Sequence, residues 1–213
     1  MKYLIAALLL ATGVPASAQE LQLPFNGRWF VMQGGDTPNV NQHMSVAAQA
    51  FGIDFVKVDG AGQRQLTRGA ASRVEDFFSW GEIVLAPAKG TVIVVVNDMP
   101  DNPFGKRDTE QPAGNHVVIR IAANRFVFLA HMQRGSVRVK AGEEVERGQP
   151  LGVCGNSGNT DFPHIHLHVQ DSPDLKAGSG QNPVFGPINV ELTGKRFSGV
   201  VWPLIRGLFV SNP

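Results

Sequence analysis

Cysteine is almost missing from this sequence of 213 residues, in which Cys154 is the single example. One thiol has no partner in its own chain, so intramolecular disulfides do not hold the fold together. The neighbours of Cys154 are apolar, and neither a helix start nor a basic residue stands beside it to lower the thiol pKa. We therefore expect a buried, unreactive cysteine and not a nucleophile.

The chain also lacks an excess of charge of either sign, with 19 Lys and Arg against 18 Asp and Glu. A protein that binds nucleic acid mainly through phosphate contacts carries a clear basic surplus. We therefore expect no nucleic-acid partner. A neutral or locally charged substrate fits this composition better.

No apolar run is long enough to span a membrane, which takes about 20 residues. Residues 1–18 instead combine the basic Lys2, a short apolar core and the small-residue sequence Ala16-Ser17-Ala18, which is typical of a secretory signal peptide. No cysteine follows to accept a lipid anchor. We expect cleavage before Gln19, no membrane span, and a secreted protein that is periplasmic or extracellular. Loss of Lys2 would leave 18 basic and 18 acidic residues.

Helical periodicity is scarce, and a helix is predicted only near residues 73–78. The 24 glycines and 14 prolines instead punctuate short runs of β-branched and aromatic residues. This spacing predicts an all-β fold, an antiparallel sandwich or barrel-like domain with few helices. The predicted strands are residues 28–32, 51–58, 83–85, 91–97, 116–121, 125–131, 136–139, 151–154 and 163–170, with edge strands from 184–185, 188–192 and 200–202.

Neither a linker nor a low-complexity stretch divides residues 19–213, and 43% of the chain is hydrophobic. We therefore expect a single domain with one sizeable core and a short N-terminal extension. A polar loop over residues 100–114 separates two apolar strands. Its length is typical of the wall of a substrate groove or of a mobile surface excursion.

Residues 163–170 hold three of the six histidines in strict alternation with aliphatic residues. Such alternation predicts a strand with one buried face and one functional face. His164, His166 and His168 would then stand about 6.6 Å apart along one face, near enough for two imidazoles to share a metal or flank its substrate. The alternatives are a solvent-exposed sheet face or a neutral hydrogen-bonded cluster.

Six short motifs follow one another along residues 82–173. They are APAKGTV (86–92), GNHVVI (114–119), LAH (129–131), VKAGE (139–143), GNSGNT (155–160) and PHIH (163–166). In this order and spacing they resemble the lysostaphin-like, LytM-type zinc metallopeptidases, which cut peptide bonds in bacterial cell-wall peptidoglycan. The resemblance implies a sandwich-like catalytic core with a groove. It also implies one zinc ion, held by the His and Asp of an H-x-x-x-D element and by the second His of an H-x-H element.

Transferred to this sequence, the resemblance implies a role for each of four residues. In the H-x-H element His166 is similar to the zinc ligand and His164 to the histidine beside it in the groove. His131, in the LAH motif, resembles the other catalytic histidine of the family. Asp54 matches the aspartate ligand.

The first histidine ligand of the family has no counterpart, because Ala50 stands four residues before Asp54. Two protein ligands would hold zinc poorly, since a catalytic zinc usually has three. Two other histidines are candidates for the missing ligand. His43 lies eleven residues before Asp54, and His168 shares a strand face with His166.

The resemblance implies a secreted zinc metalloendopeptidase whose zinc-activated water attacks a peptide carbonyl. His131 and His164 would then transfer protons or stabilise the oxyanion. Ala50 favours an alternative, a non-catalytic wall-binding module that activates a partner wall hydrolase. A third hypothesis is a periplasmic protein that uses the three-histidine strand to transfer copper or zinc.

Overall fold

The computed structural model describes residues 19–59, 65–201 and 203–213. The predicted signal peptide and Trp202 lie outside the described residues. Within those residues the chain forms thirteen strands, three short 3₁₀ turns and no α-helix. The strands are β1 (Trp29–Gln33), β2 (Ile53–Lys57), β3 (Ile83–Leu85), β4 (Gly90–Val96), β5 (Asn115–Ala122), β6 (Arg125–Met132), β7 (Glu144–Val145), β8 (Pro150–Val153), β9 (Ile165–Gln170), β10 (Gly180–Gln181), β11 (Phe185–Leu192), β12 (Lys195–Val201) and β13 (Phe209–Ser211). The 3₁₀ turns are Gln42–Ser45, Ala47–Gln49 and Val74–Asp76.

Eleven of the described strands form one sheet, in the order β12-β11-β13-β1-β2-β9-β6-β5-β4-β7, with β10 paired to β9. Strands β3 and β8 form a second, two-stranded sheet. Every pairing between these strands is antiparallel. The predicted all-β antiparallel fold class is confirmed. Among the described residues, no helix has the length and apolar content needed to cross a membrane.

The two sheets share one hydrophobic core. Val84 and Leu151 of the small sheet belong to the same buried cluster as Val127 and Leu167 of the large sheet. On β9 the aliphatic residues that alternate with the histidines are at most 1% exposed, as the alternation predicts. Cys154 is also buried in this cluster, and burial raises the pKa of its thiol well above the ordinary value. The predicted burial of Cys154 is confirmed, and the raised pKa agrees with a thiol that is not a nucleophile.

Three local predictions need correction. The helix expected at 73–78 is only one 3₁₀ turn, because the Phe78 amide donates to the Leu66 carbonyl and leaves the helical path. Residues 136–139 form no strand, because the Asn97 side chain occupies both the amide and the carbonyl of Val137. The C-terminal segment from residue 184 was expected to form edge strands. Only β12 lies at the edge of the large sheet, whereas β11 and β13 lie inside it.

The central strands bring the chemically distinctive residues together. Strand β9 lies between β2 and β6, and the register sets Asp54 opposite His166 and His166 opposite Ala130. Residues that are 112 positions apart in sequence are therefore neighbours in the sheet. His131 follows Ala130 directly in the chain and therefore lies close to His166.

Candidate metal centre

Asp54 and His166 form the centre of the site. His166 Nδ1 lies 2.9 Å from Asp54 Oδ1, and both residues are buried, with 3% and 6% exposure. A buried carboxylate is costly unless it has partners of opposite charge or hydrogen-bond donors. The surroundings of Asp54 therefore decide what the site can do.

His43 approaches the same carboxylate from the 3₁₀ turn Gln42–Ser45. Its Nε2 atom lies 2.9 Å from Asp54 Oδ2. The buried side chain of Asn41 holds this turn in place, because its Oδ1 accepts from the His43 amide while its Nδ2 donates to the carbonyls of Gly35 and Gly52. His43 thus reaches Asp54 although the position four residues before Asp54 is alanine.

Gly52 lets the two imidazoles come together. A Cβ atom at this position would lie 3.0 Å from His166 Cε1 and 3.1 Å from His43 Cγ. The two rings pack edge to face with centroids 4.6 Å apart. Any larger residue here would press on both histidines.

His43, Asp54 and His166 each offer a ligand atom, and these atoms all lie within 4.8 Å of one another. Two imidazole nitrogens and one carboxylate oxygen are a donor set that zinc takes in catalytic sites, where a fourth position stays open. A carboxylate oxygen can only accept, so each nitrogen-to-oxygen approach of 2.9 Å requires a proton or a cation between the atoms. The donor set therefore fits a zinc ion.

The electrostatics favour an ionised carboxylate. Burial alone would raise the pKa of Asp54, but the charges of His164 and His43, with hydrogen bonds from His164 and His166, hold this pKa well below the ordinary value. Asp54 is therefore a carboxylate at neutral pH, as a metal ligand must be.

His164 lies at the side of this cluster. Its Nε2 atom is 3.4 Å from Asp54 Oδ1, and its Nδ1 atom contacts the carbonyl of Phe162 at 3.0 Å. A carbonyl only accepts, so Nδ1 carries a hydrogen and Nε2 faces the site. Burial lowers the pKa of His164, but the charge of Asp54, the hydrogen bonds to Asp54 and to the Phe162 carbonyl, and the charge of Asp161 together outweigh it, and the net shift is upward.

His131 lies opposite, with its ring centroid 4.7 Å from that of His164. Its backbone has a positive φ of 64°, which is uncommon outside glycine. Its Nδ1 atom lies 2.8 Å from the carbonyl of Ser157, so Nδ1 carries a hydrogen and Nε2 is the free nitrogen. Burial, followed by the charges of His164 and His166, lowers the pKa of His131 well below the ordinary value. His131 is therefore neutral at pH 7.

His168, the other candidate for the missing ligand, lies on the far side of His166 from Asp54. Its Nδ1 atom contacts His166 Nε2 at 2.9 Å, and its ring stacks on Phe128 with centroids 4.5 Å apart. Burial, followed by the charge of His166, lowers the pKa of His168 well below the ordinary value. The structure thus brings His43 to Asp54, and it leaves His168 behind the cluster.

The loop over residues 100–114 packs against the segment that leads into β9. Phe104 contacts Phe77 with ring centroids 5.2 Å apart, and Arg107 forms an ion pair with Asp161. These contacts attach the loop to residues near the site, and its role as the wall of a substrate groove stays a prediction.

Two residues of the site were missed by sequence reasoning. Gln170 contacts His168, and its signal was present in the sequence because it continues the alternation of polar residues along β9. Asn41 positions His43 through contacts with distant backbone, for which the sequence has no local signal.

Comparison with known proteins adds a family match. Residues 74–183 match the model of Peptidase family M23. His43 and Asp54 precede the matched residues. The Endolysin 2638A of Staphylococcus phage 2638A is 41% identical over 81 residues, which cover 36% of this chain and 17% of that protein. Peptidoglycan DD-endopeptidase ShyC of Vibrio cholerae is 35% identical over 97 residues, which cover 45% of this chain and 21% of that protein.

The chain therefore matches well under two thirds of the length of these curated relatives. Among solved structures, a variant of the catalytic domain of the prophage-encoded M23 protein EnpA from Enterococcus faecalis has a TM-score of 0.48 and 21% identity. That alignment covers 76% of this chain and 95% of the EnpA chain.

Proposed function

Because this chain belongs to peptidase family M23, we propose that it is a zinc-dependent endopeptidase that hydrolyses peptide bonds in peptidoglycan. One observation carries this proposal. His43, Asp54 and His166 present ligand atoms within 4.8 Å of one another, and His131 and His164 lie beside them. A binding module has no chemical need for five such groups in one place.

We assign the zinc ion to His43, Asp54 and His166, with His43 in the role that the family gives to the residue at position 50. Bound by these residues, zinc supplies a positive charge that lowers the pKa of water to about 7 and stabilises negative charge on a carbonyl oxygen. The carboxylate of Asp54 would offset one of the two positive charges of the ion.

His131 and His164 handle protons in this mechanism. Each donates from Nδ1 to a backbone carbonyl, so each presents Nε2 to the site. The neutral Nε2 of one histidine accepts the proton of the attacking water. The other histidine returns a proton to the leaving amine or donates a hydrogen bond to the oxyanion.

The substrate assignment rests on the relatives. ShyC is named a peptidoglycan endopeptidase, and its match covers 45% of this chain. The predicted signal peptide agrees with a substrate in the cell wall, since it would carry the protein out of the cytoplasm.

Ala50 supports the alternative, a non-catalytic wall-binding module that activates a partner hydrolase. The approach of His43 to Asp54 weighs against it, because the ligand missing at position 50 has a replacement. The metal-transfer hypothesis is weaker, because both nitrogens of His168 are occupied by His166 and Gln170.

Metal analysis and digestion of purified peptidoglycan test the proposal together. We expect about one zinc per molecule and soluble peptide fragments that mass spectrometry assigns to a cut peptide bond. His166→Ala should lose both, whereas the control His116→Ala, a histidine outside the cluster, should keep both. A protein that sediments with the wall without zinc or cleavage would instead be the non-catalytic module.

A further inference from the structure

Behind the proposed zinc site, β9 carries a chain of side-chain hydrogen bonds. It runs from His166 Nε2 to His168 Nδ1 at 2.9 Å, and from His168 Nε2 to Gln170 Oε1 at 3.0 Å. All three side chains are buried, with at most 3% exposure. Each hydrogen bond in this series has one donor and one acceptor. The group at the end of the series, Gln170, can therefore determine which nitrogen of each histidine carries a hydrogen.

The orientation of the Gln170 amide is determined by backbone carbonyls. Its Nε2 atom lies 2.8 Å from the carbonyl of Ser172, 2.7 Å from that of Asp174 and 3.2 Å from that of Ala177. Carbonyl oxygens only accept, so the amide must turn its NH₂ group toward them. The Oε1 atom is then the group that faces His168, and Oε1 also only accepts.

The orientation of Gln170 sets the tautomer of His168. Because Oε1 accepts, His168 Nε2 must carry a hydrogen. The neutral imidazole then has its lone pair on Nδ1. Stacking of the ring on Phe128 at an interplanar angle of 13° resists a rotation that would exchange the two nitrogens.

The tautomer of His168 in turn sets that of His166. His168 Nδ1 accepts, so His166 Nε2 must donate and carries the hydrogen. In the neutral imidazole, His166 Nδ1 therefore has the lone pair, and this is the nitrogen that faces Asp54 at 2.9 Å, where a bound zinc ion would lie between the two atoms. A histidine ligand in proteins usually donates its other ring hydrogen to an acceptor such as a carboxylate or a backbone carbonyl, which orients the ring and raises its basicity. Here His168 Nδ1 is that acceptor.

We propose that Gln170 is a positioning residue that acts through His168 to keep the hydrogen of His166 on Nε2 and leave Nδ1 free for the metal. This inference rests on the zinc site proposed above. Gln170 touches neither the metal ligand atoms nor the reacting groups. Its effect reaches the site through two imidazoles.

The first test reads the tautomers directly and needs no variant. Long-range nitrogen-proton correlation spectra of the ¹⁵N-histidine-labelled protein, with and without zinc at neutral pH, distinguish the two neutral tautomers. We expect His168 to carry its hydrogen on Nε2 in both states, and His166 to carry a hydrogen on Nε2 and none on Nδ1 when zinc is bound. A hydrogen on Nδ1 of His168, alone or with one on Nε2, would overturn the proposal.

The second test is Gln170→Met, which keeps the length of the side chain and removes its amide. We expect the zinc dissociation constant, measured by competition with a chelating dye, to rise about 10- to 100-fold. The spectra should then show a mixture of His166 tautomers. The matched control is Gln181→Met on the neighbouring β10, whose amide donates to the Asn124 carbonyl away from the cluster. Equal zinc affinities in the two variants would reject the role of Gln170.

The two tests separate this proposal from the proposed function. If the protein does not cut peptidoglycan but shows the expected tautomers and the loss of affinity, the positioning role stands and the hydrolase assignment fails. If it cuts peptidoglycan but shows the other tautomer of His168, the hydrolase stands and the positioning role fails.

Discussion

Asp54 is surrounded by three imidazoles, and this arrangement decides the chemistry at the scale of single residues. His43 and His166 each lie 2.9 Å from one of its oxygens, and His164 lies 3.4 Å away. Loss of one partner of a buried charge is strongly destabilising, because the remaining charge stays out of water without compensation. Each histidine around Asp54 therefore contributes to stability as well as to ligand geometry.

The role of His43 can be tested by His43→Ala. This change removes one of three proposed ligands, so we expect zinc affinity to fall by about 100-fold or more, beyond the effect of losing a residue that only orients a ligand. Isothermal titration of the metal-free protein measures it. Gln42→Ala, at the exposed neighbouring position, is the control. Unchanged affinity in His43→Ala would remove His43 from the site.

His131 makes a pH-dependent contribution to stability. Its pKa is well below the ordinary value in the folded protein, so between about pH 6.5 and that lower pKa only the unfolded chain binds the proton. Its contribution is therefore complete above pH 6.5 and is lost as the pH falls. From pH 7 to pH 5.5 this amounts to about 1 kcal/mol of unfolding free energy.

His131→Asn should remove this contribution. Asparagine tolerates the positive φ at this position. Urea denaturation in the presence of a chelator should show a smaller loss of stability between pH 7 and pH 5.5 for the variant than for the wild type. An equal loss in both proteins would show that His131 titrates normally.

At the scale of elements, the turn over residues 155–160 supports the end of β6. The carbonyl of Ser157 accepts from His131, and its hydroxyl donates to the Met132 carbonyl and accepts from the Asn115 amide. Gly114 packs against the same turn. The position of His131 therefore depends on close contact between the turn over residues 155–160 and the loop that ends at Gly114.

Gly114→Ala tests this contact. A Cβ atom at position 114 would lie 2.3 Å from the Ser157 carbonyl carbon, at a φ of 56°. We expect a loss of about 2 to 5 kcal/mol in unfolding free energy from overpacking and backbone strain together, with lower peptidase activity. Gly135 has a φ of 71° and open space around it, so the control Gly135→Ala should cost only about 1 to 2 kcal/mol. Equal losses of unfolding free energy in the two variants would show that the turn over residues 155–160 shifts to accommodate the added methyl group.

At the scale of the whole molecule, the site joins parts of the chain that are far apart in sequence. The three proposed ligands come from a turn before β2, from β2 and from β9. A bound ion would therefore tie these segments together in the folded state only. Its binding free energy then adds to the free energy of unfolding.

Removal of the metal should lower the melting temperature. Zinc at 100 times its dissociation constant adds about 2.7 kcal/mol, which corresponds to about 5 to 10 °C for a chain of this size. Calorimetry with and without a chelator measures the shift. His166→Ala should show almost no chelator effect, and a full shift in that variant would place the metal elsewhere.

Much of the fold and part of the site could be predicted from local pattern. The strands at 53–57, 125–132 and 165–170 lie where apolar and β-branched residues predict them. The resemblance to zinc metallopeptidases is confirmed by the family match. The segment at 136–139 was wrongly predicted as a strand, because a distant asparagine side chain takes the hydrogen bonds that a neighbouring strand would have used.

The sequence by itself determined the all-β class, the buried thiol and the face on which the β9 histidines lie. Each of these follows from composition or from the two-residue period of a strand. Only the tertiary structure decided which histidine joins Asp54. The path of the turn that carries His43 depends on the hydrogen bonds of Asn41 to Gly35 and Gly52, and such contacts have no period that a sequence can display.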